Sequence, residues 1–334
     1  MNTPLPTRCR AFRIRNDDAG YRAALEDLAP EDLTPGEVTI RVQYSSVNYK
    51  DALAASGRGK ILRRFPLNGG IDAGGLVIAS EHPDFSPGDE VLVTGSGLSE
   101  TRDGGYSEYL KAAAEDTIPL PPGLTLRQAM GLGTAGFTAA LALFRMEQLG
   151  LEPEAGPVVV TGASGGVGSL AVNLLHHAGY EVHAITGKIE RFDWLADLGA
   201  AQCIDRHGLW LGDGPLESAR WAAAIDNAGG EMLAGLTRVI KPWGMIASCG
   251  LTAGDTLRTT VMPFIIRGIS LIGINSAGCP RPIRLEIWQR LAGRWKPPAL
   301  DRIVEREIRL DELPAQFEAH LAGQITGRTV VRID

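Results

Sequence analysis

Four glycines, Gly162, Gly165, Gly166 and Gly168, fall within seven residues of the stretch Val158-Val-Val-Thr-Gly-Ala-Ser-Gly-Gly-Val-Gly-Ser-Leu-Ala-Val-Asn-Leu-Leu175. Glycines so placed let the backbone turn sharply and approach an anion, with amide N–H groups and the positive end of a helix facing it. The spacing Ala163-x-Gly165-x-x-Gly168 points to diphosphate binding, with Ala where a dinucleotide fingerprint usually has its first glycine. A tight strand-to-helix connection without a ligand is the plainer alternative. A second group of residues bears on which dinucleotide would bind. Sheets that prefer NAD place Asp or Glu at the end of the second strand, to hold the ribose 2′-hydroxyl. Here the segment reads Ala184-Ile185-Thr186-Gly187-Lys188, with Arg191 close behind and Arg206 just after the third strand. A hydroxyl, a glycine turn and cations suit a 2′-phosphate, which a carboxylate would repel. NADPH is the expected cofactor. As mere solvated charges, Lys188 and Arg191 would open a helix, where cations are electrostatically unfavourable.

The elements that must position these groups follow from periodicity. Val158–Thr161 is β-branched throughout and reads as a buried strand; the apolar run after Gly168 reads as a helix to His177–Ala178, stopped by Gly179. Five more strands are expected at Glu181–Thr186, Gln202–Asp205, Trp221–Asp226, Met245–Cys249 and Ile269–Ile274, with helices such as Ile189–Leu198 between them. Strands alternating with helices imply a parallel, doubly wound sheet with ligands beyond the carboxyl ends of its strands. Residues 8–125 read differently. Val38, Ile40, Val42 and Tyr44 alternate with other residues, and short strands at Gly75–Ala79, Glu90–Thr94 and Gly104–Leu110 are separated by turns, the pattern of a small barrel-like domain. After Asn275 a helix, Pro282–Leu291, is followed by Glu307–Leu310, a helix through Leu321 and a terminal strand Thr329–Ile333, a part that resumes the strand and loop character of the first domain. The expectation is an α/β chain with its doubly wound sheet at 127–274, inserted into a mostly β domain made of 1–126 and 275–334.

Bulk properties narrow the function classes. The 334 residues are 44% hydrophobic with a net charge of −6, enough apolar content for two cores and the wrong sign for a nucleic-acid protein. No 18-residue apolar run and no signal-peptide core occur, so a soluble cytoplasmic protein without membrane partners is expected. Cys9, Cys203, Cys249 and Cys279 are too far apart for a C-x-x-C pair and read as reduced structural thiols. Against the acidic background, Arg58, Lys60, Arg63 and Arg64 gather four cations on one glycine-containing loop. Coenzyme A phosphates would be natural partners; a solvated basic loop is the alternative.

Several stretches together carry a resemblance to a known family. Ser45-Ser-Val-Asn-Tyr-Lys-Asp-Ala-Leu53, Gly70-Ile-Asp-Ala-Gly-Gly75, Gly133-Thr-Ala-Gly-Phe-Thr-Ala139, Thr161-Gly-Ala-Ser-Gly-Gly-Val-Gly168, Thr260-Val-Met-Pro-Phe264 and Gly327-Arg-Thr-Val-Val331 stand in order and suitably spaced. Over nearly its whole length the chain resembles the medium-chain dehydrogenase/reductases, and more narrowly the zinc-free YhdH/YhfP-type quinone oxidoreductases and acryloyl-CoA reductases (NADPH). The resemblance implies a Rossmann sheet inserted into a GroES-like catalytic domain, a homodimer, and an NADPH site lined by Tyr49, Ser164, Gly165, Gly166, Val167, Thr186, Gly187, Lys188, Arg206, Leu251, Ile265 and Ser276. Of these, Tyr49, Leu251, Ile265 and Ser276 rest on the resemblance alone. Relatives with zinc carry Cys and a Gly-His-Glu segment as ligands. Asn48 stands at the Cys position and Ile71 at the His position, so no metal is expected.

Without a Lewis acid a simple ketone is a poor substrate, because the developing alkoxide is left unstabilised. A conjugated carbonyl is easier: hydride added at the β-carbon leaves a delocalised enolate, which needs only positioning and hydrogen-bond donors. Asn48, Tyr49 and Lys50, read as a loop after the alternating strand, are the candidate catalytic residues. Tyr49 suits a hydrogen-bond or proton donor, since a phenol is protonated at neutral pH; it equally suits a stacking wall for the nicotinamide. Asp51 is expected to brace the loop. Arg328 is read as a phosphate or substrate ligand, or as half of a structural ion pair. Acryloyl-CoA is the leading substrate among enoyl-CoA, enone and quinone acceptors; a quinone reductase and a non-catalytic NADPH-binding sensor are the rival readings.

Overall fold

The computed structural model describes residues 7–333. The chain divides into two compact units. One runs through Thr134 and resumes at Ala277–Ala292 and from Asp301; the other comprises Ala135–Ser276 and Gly293–Leu300.

The first unit is built on strands whose apolar residues alternate. It contains β1 (Cys9–Asp17), β2 (Gly20–Leu28), β3 (Val38–Val47), α1 (Tyr49–Ser56), β4 (Leu67–Asn68), β5 (Asp72–Ser80), β6 (Glu90–Thr94), β7 (Tyr109–Ala112) and β8 (Ile118–Pro119). In β3, Val38, Ile40 and Val42 are buried while Arg41 is exposed, as the period-two pattern requires. These side chains share a core with Phe12, Tyr106, Leu110 and Phe317. The strand expected at Gly104–Leu110 begins only at Tyr109, because Gly104 and Gly105 are committed to a tighter contact. A Cβ on either would lie within 2.2 Å of a carbonyl oxygen of Gly70 or Asp72.

In the second unit, after α2 (Leu126–Gln148), come β9 (Val158–Thr161), α3 (Gly166–His177), β10 (Val182–Thr186), α4 (Phe192–Asp197), β11 (Ala200–Asp205), β12 (Trp221–Asp226), α5 (Gly230–Val239), β13 (Ile240–Ser248), α6 (Met262–Arg267) and β14 (Ser270–Gly273). Their sheet order is β11-β10-β9-β12-β13-β14, and every pairing is parallel. The order reverses between β9 and β12, the switch point at which such sheets bind ligands. Val158, Val159 and Val160 are completely buried, which explains why β9 is a continuous apolar run rather than an alternating one. Helix α3 starts at Gly166, three residues before the sequence suggests. The expected helix Ile189–Leu198 is a 3₁₀ turn (Ile189–Arg191) followed by α4.

The chain then returns to the first unit through α7 (Arg281–Ala292), α8 (Leu300–Ile303), β15 (Val304–Ile308), α9 (Leu313–Leu321) and β16 (Arg328–Arg332). Strand β16 pairs antiparallel with β3, Thr329 opposite Val47 and Val330 opposite Ser46. The nucleotide-type sheet is therefore inserted into a mostly β domain. Helix α2 is long and apolar enough to cross a membrane, but 89% of its most apolar window is buried inside the protein, and it is broken at Gly133 (φ 50°, ψ −155°).

Candidate functional site

In the second unit the glycine turn leaves β9 and enters α3. Gly162 adopts a left-handed conformation (φ 57°), and Gly168 sits so close to it that a Cβ there would lie 2.2 Å from the Gly162 carbonyl oxygen. That contact sets the helix on the strand. The first-turn amides of α3 have no helical acceptor behind them and stand at the carboxyl end of β9. Thr161 also ties β9 to β12: its hydroxyl donates to Asp226 at 2.7 Å, and its carbonyl accepts from Asn227 Nδ2 at 2.8 Å. Burial raises the Asp226 pKa.

Thr186 joins the two groups singled out from sequence. Its hydroxyl lies 2.8 Å from that of Ser164 in the glycine turn and accepts the Lys188 amide at 3.1 Å. Its carbonyl accepts the Arg206 amide at 3.0 Å. The Arg206 side chain lies directly over Gly187, where a Cβ would come within 2.5 Å of its Nε. A side chain at 187 would push the flexible Arg206 guanidinium aside, so glycine lets it lie over this turn. Ser164, Thr186, Gly187, Lys188 and Arg206 thus form one cluster at the carboxyl ends of β9, β10 and β11. The geometry fits a phosphorylated dinucleotide: a glycine turn open to a diphosphate and a cationic rim one strand away.

Other residues implied by resemblance lie farther along the same sheet. Leu251 and Ile265 are exposed apolar side chains, and Leu251 borders a cavity of about 270 Å³ that Gly229, Gly230, Leu233 and Cys249 also line. Burial raises the Cys249 thiol pKa, with Asp226 adding to it. The Ser276 hydroxyl accepts from Thr138 at 2.8 Å.

The first unit holds the candidate catalytic residues, and here the structure corrects the sequence reading in three places. Asn48, Tyr49 and Lys50 do not form a loop. Asn48 precedes α1, and Tyr49 and Lys50 open that helix. Asp51 completes the start by accepting the Asn48 backbone N–H at 2.8 Å, while its other oxygen accepts the Ile71 N–H at 3.0 Å. Second, Asn48 has no donor to spare for a substrate. Its Nδ2 donates to Asp72 (2.8 Å) and Asp51 (3.1 Å), and its Oδ1 accepts from Arg328 (3.1 Å). Third, Arg328 is neither a substrate ligand nor a simple ion-pair partner. It is only 3% exposed and donates to the carbonyls of Gly131 and Val47 and to Ser46 and Asn48. Burial lowers its pKa and the Asp72 and Asp51 carboxylates raise it.

Tyr49 is 38% exposed, and it is the member of the candidate trio left at the surface. Lys50 forms an ion pair with Glu100. The cations Arg58, Lys60, Arg63 and Arg64 are exposed on the loop after α1, which Leu62 anchors by burial and the Arg63 N–H pins to the Glu100 carbonyl at 2.8 Å. Sequence reasoning missed Ser46, Asp72 and Thr134, although each lies in or beside a quoted stretch. The available signal was an acidic residue opening an otherwise small and apolar strand, Asp72 in β5. Ile71 offers no lone pair to a metal, and no group of three or more His, Cys, Asp or Glu is arranged to hold one among the described residues.

Burial, with the neighbouring Asp72 carboxylate, raises the Asp51 pKa to about 7 despite its N–H donors. A folded-state pKa above the unfolded one means the folded chain holds an extra proton between about pH 4 and 7. Stability from this group is thus present at low pH and lost as pH rises through about 7. Urea unfolding at pH 5 and pH 8 should show a larger loss of stability in the wild type than in Asp51→Asn.

Comparison with known proteins places these two halves in context. A family model described as an alcohol dehydrogenase GroES-like domain matches residues 34–122, and one described as a zinc-binding dehydrogenase matches residues 166–292. The chain is 45% identical to the putative quinone oxidoreductase YhfP of Bacillus subtilis, over 98% of this chain and 100% of the relative. It is 43% identical to the probable acrylyl-CoA reductase AcuI of Escherichia coli, over 97% and 100%. A crystal structure of YhfP with NAD bound superposes with a TM-score of 0.93, covering 98% of this chain and 100% of that one. The yhdH oxidoreductase of Salmonella enterica in complex with NADP also gives 0.93, at 43% identity, with 97% and 100% covered.

Proposed function

The chain belongs to the YhdH/YhfP-type branch of the medium-chain dehydrogenase/reductases, and from that premise we propose an NADPH-dependent, zinc-independent reductase of activated alkenes, with acryloyl-CoA the leading substrate. The observation that carries the cofactor assignment is the Thr186 cluster, which brings the glycine turn together with Lys188 and Arg206. Ser164 to Val167 hold the diphosphate through backbone amides; Lys188 and Arg206 take the 2′-phosphate; Leu251, Ile265 and Ser276 contribute the remaining lining. When bound, NADPH supplies the hydride that reduces the acceptor.

The protein's own residues do the rest. Charge accumulates on the acceptor's carbonyl oxygen during reduction and must meet donors. Tyr49, exposed at the start of α1, serves as donor or as a wall against the nicotinamide. Lys50, the third member of the candidate trio, has its ammonium paired with Glu100. Asn48 and Arg328 act one step back, fixing the first turn of α1. A side-by-side turnover assay with acryloyl-CoA and a benzoquinone tests this reading: faster reduction of the thioester supports it. Preference for the quinone would favour the activity named for YhfP, and oxidation of NADPH by neither would favour a cofactor-binding sensor.

The basic loop is proposed as the dock for coenzyme A phosphates. Replacing Arg63 and Arg64 together by Ala should raise KM for acryloyl-CoA by roughly three- to tenfold, the scale of two screened ion pairs, without changing KM for a small quinone. Equal effects on both acceptors would remove the docking role. A cytoplasmic homodimer completes the proposal. Its four cysteines are free thiols, as a reducing compartment favours. Strand β14 lies at the end of the parallel sheet with Leu271 exposed, an edge suited to pairing with a second copy.

A further inference from the structure

Asp72 is completely buried and lies within hydrogen-bond reach of three side chains from two separate segments. Its Oδ1 accepts the Thr134 N–H at 2.9 Å and the Thr134 hydroxyl at 2.6 Å. Its Oδ2 accepts the Ser46 hydroxyl at 2.6 Å and Asn48 Nδ2 at 2.8 Å. Four donors on one carboxylate fix its orientation.

Two observations give this arrangement a purpose beyond packing. Thr134 begins the helical segment that follows the break at Gly133, so the carboxylate sits at a helix N-terminus, where a negative charge is stabilised. A Cβ on Gly133 would lie 2.7 Å from Asp72 Oδ2, 2.8 Å from Ser46 Oγ and 3.0 Å from Arg328 Nη2, so the break keeps room for the network. At the other end, the Asn48 amide has one workable orientation. Turned over, its oxygen would face two carboxylates and its nitrogen the Arg328 guanidinium.

We propose that Asp72, set by Thr134, is the positioning residue on which Asn48 and the first turn of α1 depend, and through them the placement of Tyr49. Resting on the reading of Tyr49 as part of the reaction site, this assigns Thr134 and Asp72 roles in turnover rather than in cofactor binding. In Asp72→Asn the new amide would present N–H groups toward Ser46 and Asn48, where acceptor oxygen now stands. Thr134→Val removes only the hydroxyl at nearly constant volume, and Thr134→Ser retains it.

The test measures kcat on whichever acceptor the wild type reduces, the NADPH dissociation constant by nicotinamide fluorescence, and hydrogen exchange of the Asn48 side-chain amide by NMR. That amide signal is identified by its loss in Asn48→Ala. Thr134→Val should lower kcat about tenfold and Asp72→Asn more, since misplacing a reacting group by about 1 Å costs on the order of a hundredfold. NADPH affinity should stay within about twofold of wild type, because the cofactor's charged groups are bound elsewhere. The Asn48 amide should exchange faster in both variants, and Thr134→Ser should restore both kcat and protection. Folded Thr134→Val and Asp72→Asn proteins with wild-type kcat and an equally protected Asn48 amide would overturn the proposal. So would a loss of NADPH affinity in proportion to kcat. If the wild type reduces no acceptor, the proposed reaction fails while amide exchange still decides the positioning role.

Discussion

Replacing Lys188 by Ala is expected to weaken NADPH binding about tenfold to a hundredfold, the value of one charge-assisted hydrogen bond of roughly 1.5–3 kcal/mol. NADH binding should change by less than about threefold, because the 2′-hydroxyl carries no charge for the ammonium to meet. The asymmetry is the informative quantity. Lys188 is partly exposed, so salt screens it, and the lower end of the range applies at physiological ionic strength. Removing Arg206 as well should widen the gap, since its side chain covers Gly187 in the same turn. Cofactor titrations of wild type, Lys188→Ala and the double variant check this. Parallel losses for NADPH and NADH would remove Lys188 from the 2′-phosphate site. The outcome matters because YhfP, at 45% identity, has been crystallised with NAD, whereas the Salmonella protein holds NADP.

The second large effect separates two glycines three residues apart. In Gly168→Ala the added methyl would stand 2.2 Å from the Gly162 carbonyl oxygen and 2.7 Å from the Ala163 Cα, both backbone atoms with no room to yield. The helix must move off β9, at a cost of roughly 1–3 kcal/mol in stability. Gly165→Ala is different. Its backbone is extended (φ −82°), and the nearest neighbour of an added Cβ is the Gly162 oxygen at 3.3 Å, a contact that a shift of a few tenths of an ångström relieves, so the apo Tm should fall far less than in Gly168→Ala. The second glycine of such a turn is needed for close approach of a pyrophosphate. Gly165→Ala should therefore weaken NADPH binding about tenfold or more, on the scale of one charge-assisted hydrogen bond, while losing far less stability than Gly168→Ala. Thermal melts with and without NADPH distinguish the two cases. A Gly165→Ala protein that binds NADPH normally would show that the turn only connects strand to helix.

Much of the second unit was legible from local sequence because its logic is local. A buried parallel strand needs a run such as Val158–Val160, a tight turn needs glycine, and a cationic rim shows in Lys188 and Arg206. The boundaries of β12 were read to the residue. Helix α3 begins at Gly166, because glycine's cost in a helix is small in a first turn held by packing against Gly162.

In the first unit the residue types were visible and their partners were not. Asn48 and Arg328 were picked out, but they meet across 280 positions, and only the antiparallel pairing of β16 with β3 brings them together. Asp72 and Thr134 are 62 residues apart, joined where α2 breaks at Gly133. By itself, the sequence determined the doubly wound architecture, the glycine turn between β9 and α3 and the cationic character of the residues just beyond β10 and β11, all properties of neighbouring residues. Which polar side chains remain available for chemistry, and which are consumed in holding others, was decided by tertiary structure alone. The physical reason is that a buried donor or acceptor must find a partner, and strand register determines which one it finds.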